Sequence, residues 1–197
     1  MTAPTRELRP RVALALAIVA GGKSTRMGRD KAELTIAGAT MLARLAGLGV
    51  ALGLPVLVCG RSQPVDWRGP AATFLTDAIA GEGPLRGLEA AFTQADEVLL
   101  IACDMPLLDV ADLRWLLSIT PAVHGTAVSR AGQIEPLFSR YHATCRQLLA
   151  AELAAGRRSP ARLLAAGLFA QVAAPPAVAA HLADADTPSD WLSLTGG

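Results

Sequence analysis

An apolar run of eight residues, 12–19, leads directly into a glycine pair and then into a strongly basic segment. The segment from Val19 to Lys31 reads V-A-G-G-K-S-T-R-M-G-R-D-K. An apolar run of this length bounded by glycine is typical of a buried parallel strand. The glycine pair lets the backbone turn sharply and approach a ligand closely, because no Cβ stands in the way. Four cations follow, at Lys23, Arg26, Arg29 and Lys31. Together with free backbone N–H groups, they predict a polyphosphate site at the end of this strand.

A second interpretation of this segment is a phosphate-binding loop of the Walker A type. Residues 17–24 nearly fit G-x-x-x-x-G-K-[ST] with Ala17 replacing the first glycine, and the apolar run before Asp104 is similar to a Walker B strand. A Walker A loop opens a long helix, whereas Gly28 interrupts this segment and no helical apolar period begins before Met41. The sequence therefore favours a different kind of nucleotide-binding loop.

A secretory signal peptide would also place arginines ahead of a short apolar core, with a small residue such as Ala20 near the cleavage point. Cleavage there would remove a central strand from the predicted sheet. The three cysteines, Cys59, Cys103 and Cys145, are widely spaced and form no C-x-x-C pair. They indicate neither a disulfide framework nor a zinc site, so reduced thiols in a cytoplasmic protein are expected.

Composition narrows the class of protein further. The 197 residues are 52% hydrophobic, which is ample for one domain, and no apolar stretch reaches the length of about 18 residues that a membrane span needs. A net charge of +1 and 4% aromatic residues disfavour a nucleic-acid or membrane surface. We therefore expect a disordered segment at 1–11 and a single domain at 12–197, binding neither nucleic acid nor membrane.

Strand and helix signals alternate along the chain. Predicted strands cover Val12–Val19, Pro55–Cys59, Thr73–Leu75, Val98–Cys103, Thr126–Arg130, Glu135–Ser139 and Leu168–Val172. Predicted helices cover Met41–Leu52, Pro84–Gln94, Asp109–Leu117, Ala143–Ala155, Pro160–Ala166 and Pro188–Leu194. Strands separated by helices of this size predict an α/β fold, a three-layer α/β/α sandwich around a mostly parallel, Rossmann-like sheet.

Polar residues gather where these strands end. Parallel sheets bind their ligands outside the carboxyl ends of the strands, and Asp77 and Asp104 each follow a strand there. Two carboxylates on one rim repel each other unless a cation joins them. Because Mg²⁺ is typically held by one or two carboxylates together with phosphate oxygens, the pattern predicts a magnesium–nucleotide site.

Five motifs follow one another in order between residues 12 and 192. The opening segment resembles the signature L-A-G-G-x-S-x-R-M-G-x-D-K, residues 77–87 resemble D-x-x-x-G-x-G-P-L-x-G, and residues 103–106 resemble C-D-x-P. Residues 135–141 are similar to e-P-L-f-x-x-Y, and residues 184–188 to N-x-N-T-P. The chain thereby resembles the molybdenum cofactor guanylyltransferase family of the nucleotidyltransferase superfamily, with its fold of the nucleotide-diphospho-sugar transferase type.

This resemblance implies transfer of GMP from GTP to the phosphate of molybdopterin, with Mg²⁺ as cofactor and release of pyrophosphate. It implies nucleotide binding by Val19, Ala20, Gly21, Gly22, Lys31, Asp77 and Asp104, catalytic roles for Arg26, Lys31 and Asp104, and metal binding by Asp104. Transient contact with molybdoenzymes or their chaperones is also expected.

Three positions depart from the family pattern. Cys59 stands where relatives often have asparagine, and Asp184 and Asp186 replace the two terminal asparagines. Two carboxylates facing an anionic pterin phosphate would repel it. A cytidylyltransferase of the same fold therefore stays open as an alternative, as does a protein that binds the nucleotide or molybdopterin without turnover.

Overall fold

The computed structural model describes residues 11–21, 30–76 and 83–195. Its strands are β1 (Val12–Val19), β2 (Thr35–Ile36), β3 (Ala39–Thr40), β4 (Val56–Cys59), β5 (Thr73–Leu75), β6 (Ala95–Ala102), β7 (Gly125–Arg130), β8 (Gln133–Ile134), β9 (Phe138–His142) and β10 (Phe169–Ala173). Its α-helices are α1 (Met41–Ala51), α2 (Pro84–Phe92), α3 (Val110–Ser118), α4 (Arg146–Ala154), α5 (Ala161–Ala166), α6 (Pro176–His181) and α7 (Pro188–Thr195). A short 3₁₀ helix at Lys31–Glu33, here named the Lys31 helix, precedes β2.

The central sheet has the strand order β5-β4-β1-β6-β9. Neighbours among β5, β4, β1 and β6 are parallel, and β9 runs antiparallel to β6. A second sheet has the order β10-β7-β8, and β2 and β3 form a small hairpin. The mostly parallel sheet agrees with the prediction. The apolar side chains on both faces of β1 explain why this strand lies at the centre of the sheet.

Side chains of β1 point alternately into two separate apolar clusters. Leu16 and Ile18 pack with residues of α1 and α3, whereas Ala15 and Ala17 pack with residues of α2, α4 and α5. A strand buried on both faces needs a continuous apolar run, and this is why residues 12–19 carry no alternating polar residue. The predicted three-layer α/β/α architecture is confirmed.

Helix α2 lies unusually close to the end of β1, and two glycines account for this. An added Cβ on Gly87 would lie 3.3 Å from Cys59 Cβ and 3.4 Å from Val19 Cγ2, so glycine allows the helix to approach both strands. Gly83 caps the helix with φ +83°, a backbone conformation that favours glycine, and Pro84 begins the first turn. The G-P-L-R-G motif therefore fixes where α2 begins relative to the strand ends.

One predicted strand is wrong in both position and pairing. The sequence pattern around Ala131-Gly132 predicts that the strand at Glu135–Ser139 pairs with the strand at Thr126–Arg130. In the structure β7 pairs with β8 instead, and β9, which follows β8, joins β6 in the central sheet. Phe138 lies in one apolar cluster and Tyr141 in the other. Because β9 is buried on both faces, it belongs in the central sheet rather than in a surface hairpin.

The remaining predicted elements lie close to their predicted positions, whereas α6 and the Lys31 helix were not predicted. Helix α6 begins at Pro176, which suits a first helical turn, but its alanine-rich sequence carries only Val178 into the core. Such a sequence gives little apolar period to detect. Among the described helices, none combines the length and the apolar character that crossing a bilayer requires. The predicted disordered segment at 1–11 falls almost entirely outside the described residues and stays a prediction.

Candidate active site

The end of β1 forms the floor of a cavity at the carboxyl edge of the central sheet. Backbone hydrogen bonds hold this end in place on both sides, since Ala20 N donates to Cys59 O (2.9 Å) and Cys103 N donates to Val19 O (3.1 Å). An added Cβ on Gly21 would lie only 2.9 Å from the Cα of Gly60, so the two backbones meet without room for a side chain. The end of β1 is therefore held against both neighbouring strands, and its backbone forms one wall of the cavity.

We name this space the strand-end cavity; it has a volume of about 180 Å³. Its described lining combines the end of β1, the Lys31 helix, the start of α2 and the end of β6. The residues are Val19, Ala20, Gly21, Asp30, Lys31, Ala32, Pro84, Ala102, Cys103, Asp104 and Leu137. Five of the predicted site residues, namely Val19, Ala20, Gly21, Lys31 and Asp104, thus share one cavity.

Lys31 is the cation that the structure places inside this cavity. Its Nζ donates to Asp104 Oδ2 at 2.9 Å and to Asp186 Oδ1 at 2.6 Å. Burial alone would lower the pKa of Lys31. The hydrogen bonds that Lys31 donates to Asp186 and Asp104 outweigh burial and raise this pKa above its ordinary value. The ammonium is therefore charged at neutral pH and fixed between two carboxylates.

Asp104 follows β6 and has one carboxylate oxygen available. Oδ2 accepts the hydrogen bond from Lys31, while Oδ1 is buried and accepts none from the described part of the chain. A buried carboxylate oxygen without a donor is costly, and such an atom calls for an explanation. A hard divalent cation would satisfy it, so the residues present fit the predicted Mg²⁺.

Asp186 was not predicted to contact Lys31. The segment that carries it is tied to the end of β6, because Ala185 N donates to Asp104 O at 2.8 Å. The salt bridge to Lys31 neutralises the charge of Asp186, so this residue repels an anionic acceptor less than the sequence suggested. No local pattern could have indicated a pair separated by 155 residues.

Cys103 directly precedes Asp104 but is unsuited to nucleophilic chemistry. Burial, with a smaller effect of the neighbouring Asp104, raises the pKa of its thiol to about 12. Because the thiolate is the reactive form of cysteine, the side chain is inert at neutral pH. Cys59 is also completely buried and packs beneath α2, so its side chain does not line the strand-end cavity.

The other predicted site residues, Gly22, Arg26 and Asp77, lie outside the described residues and stay predictions. Asp30 Oδ1 caps the Lys31 helix by accepting from Ala32 N at 3.0 Å, and Asp30 Oδ2 lies 3.1 Å from Arg61 Nη2. The contact with Arg61 was not predicted.

Asp184 lies near this charge cluster and has an altered acidity. Burial and the negative charges of Asp104 and Glu135 raise its pKa to about 6. An acid whose pKa is raised by folding stabilises the protein most below its unfolded pKa of about 3.9, and that contribution is lost as the pH rises through 6. The negative charge at this position therefore opposes folding at neutral pH.

The variant Asp184→Asn should consequently gain stability relative to the parent protein as the pH rises from 4.5 to 7.5. Urea unfolding in the presence of a chelator at both pH values measures this difference. Asp190→Asn is the control, because hydrogen bonds from Thr187 lower the pKa of Asp190, so its contribution to stability changes below the unfolded pKa of about 3.9 and the variant should show almost no trend between pH 4.5 and 7.5. The same pH trend in both variants would contradict the prediction.

Comparison with known proteins agrees with this geometry. The profile of the MobA-like NTP transferase domain matches residues 16–173. The chain belongs to this family. This NTP transferase is 34% identical over 194 residues to the probable molybdenum cofactor guanylyltransferase of Synechococcus elongatus, covering 90% of the chain and 95% of the relative. It is also 34% identical over 148 residues to the molybdenum cofactor guanylyltransferase of Pseudomonas putida, covering 72% and 77%.

Solved structures share the fold of this NTP transferase. The molybdopterin-guanine dinucleotide biosynthesis protein A of Archaeoglobus fulgidus superposes with a TM-score of 0.73 at 18% identity, covering 94% of the chain and 97% of that protein. The 2-C-methyl-D-erythritol 4-phosphate cytidylyltransferase of Thermus thermophilus superposes with a TM-score of 0.60 at 17% identity, covering 95% and 98%. The predicted nucleotide-diphospho-sugar transferase type of fold is confirmed.

Proposed function

We propose that this NTP transferase transfers GMP from GTP to the terminal phosphate of molybdopterin and releases pyrophosphate. The observation that carries the proposal is Lys31, fixed as a charged ammonium between Asp104 and Asp186 at the end of the central strands. The names of the relatives from Synechococcus and Pseudomonas support the guanylyl donor and the acceptor.

The reaction needs positioning and charge neutralisation rather than a nucleophilic side chain. An oxygen of the acceptor phosphate forms a bond to the α-phosphorus of GTP, and the bond between that phosphorus and the bridging oxygen to the β-phosphorus breaks. The electron pair leaves with pyrophosphate. The attacking phosphate is already anionic, so no general base is required, and the inert thiol of Cys103 is consistent with this chemistry.

Lys31 would hold the phosphates of the nucleotide and stabilise the negative charge that develops as pyrophosphate leaves. The backbone of Val19, Ala20 and Gly21, which line the strand-end cavity, would bind the nucleoside. At Gly21 the absence of a Cβ leaves room only for backbone. Gly22, Arg26 and Asp77 are proposed to complete the nucleotide site.

Asp104 is proposed to bind Mg²⁺ through Oδ1, the buried oxygen that accepts no hydrogen bond from the described residues. When bound, the cation supplies positive charge to the phosphates of GTP and favours the departure of pyrophosphate. Lys31 keeps Asp104 Oδ2 occupied and so leaves Oδ1 as the oxygen available to the cation.

A cytidylyltransferase is the second candidate, because Asp184 and Asp186 replace asparagines and a cytidylyltransferase shares the fold. The G-P-L-R-G motif favours the guanylyl donor instead. A binder without turnover is a weaker candidate, since it would not need the free oxygen of Asp104. We also propose a cytoplasmic location and transient contact with molybdoenzymes or their chaperones.

Pyrophosphate release tests these alternatives directly. The purified protein is mixed with Mg²⁺, molybdopterin and either GTP or CTP, with reactions lacking molybdopterin as controls. Acceptor-dependent release with GTP alone is expected. Release with CTP alone would replace the proposal by the cytidylyl reaction, and binding of GTP without release under any condition would favour the non-catalytic binder.

A further inference from the structure

We propose that Arg61 is a positioning residue that fixes the Lys31 helix and so places the Lys31 ammonium in the strand-end cavity. The inference deepens the proposed function and rests on it for its kinetic consequence. It starts from Arg61 Nη2, which lies 3.1 Å from Asp30 Oδ2 and 3.6 Å from Glu33 Oε1.

These two contacts reach both ends of the Lys31 helix. Asp30 is the N-cap residue, and Glu33 is the last residue of the helix. Asp30 uses its other oxygen, Oδ1, to accept from Ala32 N, so the ion pair and the helix cap share one carboxylate. Arg61 therefore holds the N-cap residue Asp30 in place, and Lys31 is the residue that directly follows Asp30.

The backbone that carries Arg61 is well anchored. Arg61 follows Gly60, whose N–H donates to Leu75 O at 2.8 Å and whose Cα lies against Gly21. The arginine is thus attached to the ends of β4 and β5, and β4 lies beside β1, whose end lines the strand-end cavity. It can act as a fixed reference point for the Lys31 helix.

The Lys31 helix has little packing of its own. Ala32 is its only buried residue, and cavities lie on both sides. Asp30, Lys31 and Ala32 line the strand-end cavity, while Ala32 and Glu33 line a larger neighbouring cavity of about 510 Å³, which Arg61 and Trp67 also line. With space on either side, the ion pair rather than side-chain packing sets the position of this helix.

The burial of the Arg61 side chain at this position is unfavourable for the free energy of folding. Its side chain is only 17% exposed, and its Nε and Nη1 are buried without a hydrogen-bond partner among the residues that the structure describes. Burying unsatisfied donors disfavours folding, so stability alone is a poor explanation for the arginine. A role in placing Lys31 explains why the Arg61 guanidinium is held at this position.

Without Arg61 the Lys31 helix would be free to shift towards the larger cavity and draw Lys31 away from Asp104 and Asp186. Misplacement of a catalytic group by about 1 Å can cost about a hundredfold in rate. We therefore expect Arg61→Gln, and Asp30→Asn from the other side of the pair, to lower kcat on the order of tenfold or more. Asp30→Asn keeps a side-chain oxygen for the cap, so it tests the ion pair separately.

The matched control is Arg140→Gln. Arg140 pairs with Glu97 at 2.6 Å, with side chains 14% and 15% exposed, and Glu97 lies in the first half of β6, away from Asp104. This variant should lose thermal stability to a similar extent as Arg61→Gln while keeping kcat. In combination with Lys31→Ala, Arg61→Gln should add no further loss of rate, because both changes remove the same contribution.

A second readout does not depend on turnover. The chain has only two lysines, Lys23 and Lys31, so the ε-methylene carbon resonance of Lys31 can be assigned in NMR spectra with a Lys23→Arg variant. At pH 7.5 this resonance should move towards the position of a solvent-exposed lysine in Arg61→Gln and Asp30→Asn, but not in Arg140→Gln. An unmoved resonance in both variants, or rate losses that add to that of Lys31→Ala, would overturn the proposal. Absence of GTP turnover in the parent protein would overturn the proposed function and leave the resonance as the test of placement.

Discussion

Replacing Asp104 with alanine or asparagine is expected to lower the rate of nucleotidyl transfer on the order of a hundredfold or more while the fold stays intact. Alanine removes both carboxylate oxygens, and asparagine keeps one oxygen but loses the negative charge that holds Lys31 and that we assign to Mg²⁺ binding. The backbone hydrogen bond from Ala185 to Asp104 O does not involve the side chain. Steady-state kinetics at increasing Mg²⁺, with thermal unfolding alongside, measure the effect.

Asp96→Asn is the matched control for this experiment. Asp96 lies at the start of β6, whereas Asp104 follows the end of that strand, and Asp96 pairs with Arg11 at 3.2 Å on the protein surface. Its loss should leave the rate and the Mg²⁺ dependence unchanged. If Asp104→Asn kept the full rate at the same Mg²⁺ concentration, the proposed mechanism would be wrong.

The second large effect is expected for Lys31→Met, which keeps the bulk of the side chain and removes its charge. The variant should lose about a hundredfold or more in kcat/KM for GTP, because the phosphates lose a fixed cation in a partly buried site. It also leaves Asp104 and Asp186 facing each other without their shared ammonium. Initial rates over a range of GTP concentrations separate the effects on kcat and KM.

Lys31→Arg should recover only part of this loss, since a planar guanidinium does not fit the position where one ammonium lies 2.9 Å and 2.6 Å from two carboxylates. Arg11→Met, which removes a cation from the surface pair with Asp96, serves as the control and should have no kinetic effect. Unchanged kinetics in Lys31→Met would remove this lysine from the active site.

Those parts of the structure that depend on local pattern were predictable from the sequence. The apolar run before Gly21 identified β1 as a central strand, since a strand covered by helices on both faces must be apolar throughout. The rule that parallel sheets bind ligands at their carboxyl ends then brought Lys31 and Asp104 to one place. The glycine pair was expected to allow a close approach to a ligand, whereas the close approach of Gly21 to the backbone of Gly60 was not predicted.

Features that depend on distant partners were not predictable in this way. The ion pairs of Lys31 with Asp186 and of Asp30 with Arg61 join residues far apart in the chain, and nothing in their own neighbourhoods indicates the partner. The prediction for β9 was wrong for a related reason. Phe-Ser-Arg-Tyr-His has no clear alternation, and only the packing of Phe138 and Tyr141 on opposite faces places it in the central sheet.

The contact between Asp186 and Lys31 also has a consequence for how the protein is made. Synthesis runs from the amino terminus, so Lys31 leaves the ribosome long before Asp186. Until the segment around Ala185 has been translated and has bound to the end of β6, the lysine has only Asp104 of its two carboxylate partners. All four parallel strands of the central sheet precede that segment, so the charge cluster becomes complete only after the strands beside it have been translated.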